Sequence, residues 1–66
     1  MTITLNGAAC VIDDGTTLER LLAATTGTHR GCAAAIDGEV VPRQTWALAV
    51  LREGQAVEVL TAVQGG

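Results

Sequence analysis

The stretch Thr2–Leu22, "TITLNGAACVIDDGTTLERLL", decides the fold. Ile3 and Leu5 alternate with Thr2, Thr4 and Asn6, the period of a strand with one buried face. Asn6-Gly7 follows, and both residue types accept the positive φ that a type I′ turn demands, so the chain is expected to reverse there. The returning strand is "AACVI", with Cys10 and Ile12 in phase, and Asp13-Asp14-Gly15 closes it. Thr16 then stands three residues before Glu19, the spacing of a capping box in which each side chain satisfies a backbone N–H of the other. Leu18, Leu21, Leu22 and Thr25 fall at i, i+3, i+4 and i+7, so one helical face is lined with leucine while Glu19 and Arg20 stay outside. Gly27 is the expected C′ residue that stops this helix.

Working outward, "CAAAI" (32–36) reads as a third strand, turned by Asp37-Gly38 into "EVV". Pro42 ends that segment because it has no N–H to give to a ladder. The stretch from "PRQTW" to "LAVL" is expected to form a turn or short helix. Glu53-Gly54 marks another turn, and "AVEVLTAV" is the last strand, leading straight into Gln64, Gly65 and Gly66. A hairpin, a helix and further strands of one mixed sheet make an α+β layout, with the sheet covered on one face by one main helix. That layout is the ubiquitin-like β-grasp, in which the first and last strands lie parallel at the sheet centre and the C-terminal segment leaves the sheet. Residues 1–66 are read as a single domain, with 63–66 as a flexible Gly-Gly tail.

Composition narrows the function. A chain of 66 residues buries only about 60% of the surface its unfolded form exposes, so any function sits on the surface or at an end. Cys10 and Cys32 are the only cysteines and His29 the only histidine, with no spacing suited to zinc; no metal site is expected. The amino terminus lacks a basic region and an apolar stretch of signal-peptide length, and "WALAVL" is too short to cross a bilayer, which points to a cytoplasmic protein with no membrane role. Both cysteines are then expected to be reduced and to pack as small hydrophobes in phase with Ile12 and Ile36. Seven acids against four arginines give a net charge of −3. With no basic cluster and one aromatic residue, nucleic acid is a poor partner.

The segment "AAAIDGEVVPRQTW" (33–46), the turn "REGQAVEVL" (52–60) and the terminus "AVQGG" (62–66) together resemble the ThiS sulfur carrier family of thiamin biosynthesis, over essentially the whole chain. A terminal Gly-Gly is shared with the molybdopterin-synthase small subunit and with ubiquitin, so Val-Pro-Arg-x-x-Trp (41–46) is the discriminating run. One departure is Asp37, where the family usually has Asn before the turn glycine; Asp-Gly supports the same turn. The resemblance implies that the chain is not an enzyme but a protein co-substrate that binds no permanent cofactor. Its Gly66 carboxylate would be adenylated by a ThiF-like E1 adenylyltransferase that uses MgATP, then converted to a thiocarboxylate with sulfur from a cysteine-derived donor protein. The thiocarboxylate would supply a ThiG-like thiazole synthase. Gly66 is the residue modified and Gly65 supports it, because two residues without a Cβ pass a narrow channel and leave the carbonyl unshielded.

Several side chains carry two readings. If Val57, Val59 and Val63 face the helix, Glu58, Leu60 and Ala62 face outward, and apolar Leu60 and Ala62 become candidate partner contacts beside the tail. Val63 and Gln64 join the strand to the tail and are candidate contacts with them. Arg43 is either a partner contact or bonded to local carbonyls. Trp46 is expected to fill a gap beside the core. Alternatives to the thiamin carrier are a molybdopterin-synthase-type or other sulfur carrier, a ubiquitin-like modifier, and a plain interaction module. The absence of lysine excludes lysine-linked chains of this protein.

Overall fold

The sheet is built from two hairpins, and the same two-residue device closes each. Strand β1 (Thr2–Leu5) turns at Asn6-Gly7 into β2 (Ala8–Val11), and β3 (Cys32–Ile36) turns at Asp37-Gly38 into β4 (Glu39–Val41). Asn6 and Asp37 both have φ 51°, followed by Gly7 at 84° and Gly38 at 86°. Left-handed pairs of this kind match the right-handed twist of the flanking strands, as the Asn-Gly and Asp-Gly signals predict. The computed structural model describes residues 1–26 and 31–61.

Between the hairpins runs the helix α1 (Leu18–Thr26), and after them come a 3₁₀ helix (Arg43–Leu48) and the last strand, β5 (Ala56–Thr61). The strand order is β2-β1-β5-β3-β4, with β5 parallel to β1 and antiparallel to β3. The first and last strands therefore sit side by side at the centre, as the sequence reading expected of a β-grasp. The 3₁₀ helix is the form taken by the stretch expected to be a turn or short helix.

Ile3, Leu18, Leu21, Leu22, Ala34, Trp46, Leu51 and Val57 form the buried core between sheet and helix. Complete burial of an aliphatic side chain such as Leu22 contributes about 1.5–3 kcal/mol, so three leucines on one helical face anchor α1 to the sheet. Trp46 is 2% exposed and, with its indole N–H donating to the Val41 carbonyl at 2.8 Å, is fully part of this core rather than beside it. Cys10 and Cys32 pack against the core together with Ile12 and Ile36.

Two local readings of the helix are corrected. Thr17, not Thr16, caps α1: its hydroxyl accepts the Arg20 N–H at 3.2 Å, so Glu19 falls one residue short of the capping-box position. Thr16 is held outside the helix because its N–H and its hydroxyl both donate to the Asp13 carbonyl, while its own carbonyl accepts the Leu51 N–H at 2.9 Å. Thr25 is exposed and donates its hydroxyl to the Leu21 carbonyl, so the apolar stripe ends at Leu22. The expected stop at Gly27 lies outside the described residues.

Candidate functional site

Side chains alternate along a strand, and directly paired residues share a face. Val57 is buried and Val59 packs against the core, so Glu58 and Leu60 point to the opposite face of the sheet, which no helix among the described residues covers. The ladders then place the neighbours: Leu60 lies opposite Ala33, Glu58 opposite Ala35, and Ala35 opposite Val40. These residues, with Asn6, line a hollow of about 290 Å³ on the outer face. The floor is shallow because two alanines stand where larger side chains would fill it. Leu60 and Val40 rise on either side and are 75% and 76% exposed.

Among the described residues the hollow is apolar apart from Glu58 and Asn6, and Glu58 is the only charged one that lines it. One carboxylate and one carboxamide on an alanine floor suit contact with another surface more than bond chemistry. Asn6 is held by β5 itself: its Oδ1 accepts the Val59 N–H at 2.9 Å. The described residues contain no group of three or more His, Cys, Asp or Glu able to hold a metal ion, and no helix long and apolar enough to cross a membrane.

Of the candidate site residues, Leu60 takes the outward, exposed position expected of it. Ala62, Val63, Gln64, Gly65 and Gly66 lie outside the described residues. Arg43 opens the 3₁₀ helix, with its guanidinium 5.5 Å from the centroid of the Trp46 ring, a cation–π distance, and it does not line the hollow. Leu60 and Arg43 are therefore not brought together in one site. The sequence reading missed Val40, Ala33 and Ala35 as companions of Leu60. Alternation alone placed Glu58 and Leu60; their neighbours depend on the β3–β5 register, a pairing across some twenty-five residues that no local pattern encodes.

The chain matches the ThiS family over residues 3–66. It is 30% identical to the sulfur carrier protein ThiS of Escherichia coli, with all 66 residues aligned and the whole of both chains covered. Among solved structures it resembles the crystal structure of a thiamine biosynthesis protein (ThiS) from Geobacter metallireducens, with a TM-score of 0.82, 28% identity and complete coverage of both chains. A solution structure of a thiamine biosynthesis protein from the same organism gives a TM-score of 0.79 at 28% identity, covering 100% of this chain and 88% of that one. The Val-Pro-Arg-x-x-Trp run, the parallel β1–β5 centre and the match from residue 3 to residue 66 converge: the chain is a member of the ThiS family, with its ubiquitin-like β-grasp fold.

Proposed function

We propose that this chain is a sulfur carrier of thiamine biosynthesis whose reacting group is the carboxylate of Gly66. The observation that carries the reading is the family match over nearly the whole length, residues 3–66, including Gly65-Gly66. It is supported by the position of β5, a central strand that runs toward those glycines with exposed Leu60 on its outer face.

In this reading a ThiF-like E1 adenylyltransferase uses MgATP to join the Gly66 carboxylate to AMP, with pyrophosphate leaving. A carboxylate is a poor electrophile; the acyl adenylate has AMP as a leaving group, so sulfur from a cysteine-derived donor protein can displace it and leave a thiocarboxylate. That group then donates its sulfur to a ThiG-like thiazole synthase. The carrier supplies neither acid nor base and keeps no cofactor of its own. Its folded body provides binding energy remote from the reacting atom, which the enzyme uses to position the terminus. Leu60, with Ala62, Val63 and Gln64, forms the docking surface beside that terminus, and Arg43 is a further contact on a separate face. The cytoplasm is the compartment for this chemistry.

The test is to incubate the protein with a ThiF-like enzyme, MgATP and a sulfur donor and to read the intact mass. Replacement of one terminal oxygen by sulfur is the expected result; adenylation that never proceeds to the thiocarboxylate defeats the reading. Deleting Gly66 abolishes the modification and leaves the fold in place. Leu60→Asp leaves the terminus intact but weakens binding to the activating enzyme by about tenfold or more, the loss expected when an interface anchor goes; wild-type affinity in that variant removes Leu60 from the docking surface.

A further inference from the structure

The ladder between the two central strands is short. β1 pairs with β5 only through Thr4 with Ala56 and Leu5 with Val57, and β1 ends at Leu5. One more rung is nevertheless present, made by a side chain: Asn6 Oδ1 accepts the Val59 N–H at 2.9 Å, while the Asn6 N–H donates to the Val57 carbonyl at 2.9 Å. Beyond Val59 the described part of β5 is paired on the other side only, Leu60 with Ala33 and Thr61 with Cys32 of β3. The hairpin residue thus reaches past its own strand to hold β5 close to where the chain departs toward Gly66.

We propose that Asn6 is a positioning residue for the C-terminal segment: its side-chain bond to Val59 fixes the point up to which β5 is held from both sides, and so the point from which Gly66 is presented. The inference rests on the carrier reading above. From Val59 to Gly66 the chain spans at most roughly 25 Å. Without the Asn6 rung, Val59, Leu60 and Thr61 are held by β3 alone, and the point from which Gly66 is presented is fixed less tightly. Ordering each residue costs conformational entropy, and acyl transfer needs the reacting atoms held near attack distance.

The molecule contains its own control. At the other end of β5, Asp37 Oδ1 accepts the Ala56 N–H at 2.9 Å from the second hairpin. Asn6→Gly and Asp37→Gly each keep a residue that accepts the left-handed conformation, and each removes one side-chain bond to β5. Two quantities are read: amide hydrogen exchange at Val59, and kcat and KM for adenylation by a ThiF-like enzyme with MgATP, followed by pyrophosphate release. Asn6→Gly is expected to speed exchange at Val59 and to lower kcat/KM by about fivefold to tenfold, mainly through kcat, because Leu60, Val40 and the alanine floor of the outer face remain while presentation of the carboxylate suffers. Asp37→Gly is expected to stay within about twofold of the wild type. Asn6→Asp keeps an acceptor oxygen and the turn, and should retain both Val59 protection and rate, which guards against a glycine variant that does not fold. Equal loss in Asn6→Gly and Asp37→Gly overturns the proposal, as does a wild-type rate in Asn6→Gly or a lost rate in Asn6→Asp with Val59 still protected. A wild-type chain that the enzyme leaves unmodified overturns the carrier reading itself; a modified wild type with any other variant pattern overturns only the role of Asn6.

Discussion

The two hairpin turns are near copies in geometry and differ in what they hold. Asn6 and Asp37 share φ 51°, each is followed by a glycine with φ near 85°, and each places a side-chain oxygen 2.9 Å from a backbone N–H of β5. Asp37 bonds Ala56, the first residue of the strand, and its backbone N–H returns the contact to the Ala56 carbonyl at 2.8 Å. Asn6 bonds Val59, on the way out of the strand. A residue chosen for a turn can thus also replace a missing rung in a neighbouring strand. Because β5 is the central strand, these two side chains fix its register from opposite flanks, one near each end.

The comparison can be broken outright by removing the core beneath both clamps. Trp46→Ala empties the largest buried side chain among the described residues and leaves the Val41 carbonyl without its indole donor; a loss of about 3–5 kcal/mol is expected, read as a collapse of the urea midpoint, and both turns are released together. Next in size are Gly7→Ala and Gly38→Ala. A Cβ at either position meets nothing within 4 Å, so the cost is backbone conformation alone, about 1–2 kcal/mol and the same at both turns; unequal midpoint shifts would show that one hairpin carries strain the other lacks. Asn6→Gly and Asp37→Gly each remove one exposed hydrogen bond worth about 0.5–1.5 kcal/mol, and matched losses in equilibrium unfolding are expected even though their effects on the terminus differ. Smallest is Leu60→Asp: it changes an exposed side chain on the uncovered face, so less than about 1 kcal/mol is expected in the same assay while binding to the activating enzyme falls.

What was legible in the sequence follows the range over which each feature is determined. Asn6-Gly7 and Asp37-Gly38 are decided by two residues, and the strands beside them by period-2 alternation, so both hairpins were readable. The leucine stripe of α1 was readable for the same reason. The cap was not, because Thr16 is drawn out of the helix in part by the Leu51 N–H, a contact from a residue distant in the sequence. The sequence points to a place for Trp46 beside the core; its burial within it depends on the 3₁₀ helix packing against α1, which no periodicity announces. The outer hollow is half legible: Leu60 and Glu58 follow from alternation, but Ala33, Ala35 and Val40 join them only once β3 is in register with β5. Nothing local says that Asn6, already explained by its turn, also serves a residue 53 positions away.

The parallel pairing of β1 with β5 has a consequence for synthesis. The sheet centre joins the beginning of the chain to its end, so a nascent chain has no central strand until Ala56–Thr61 has been made. Long-range closure of this kind is slow relative to local pairing. A chain cut short before Ala56 leaves Ile3 and Ala34 without the strand that separates them in the sheet, and proteolysis can remove it. A chain translated through β5 is then the first that can close the sheet, and it is already within a few residues of the glycines it is proposed to present.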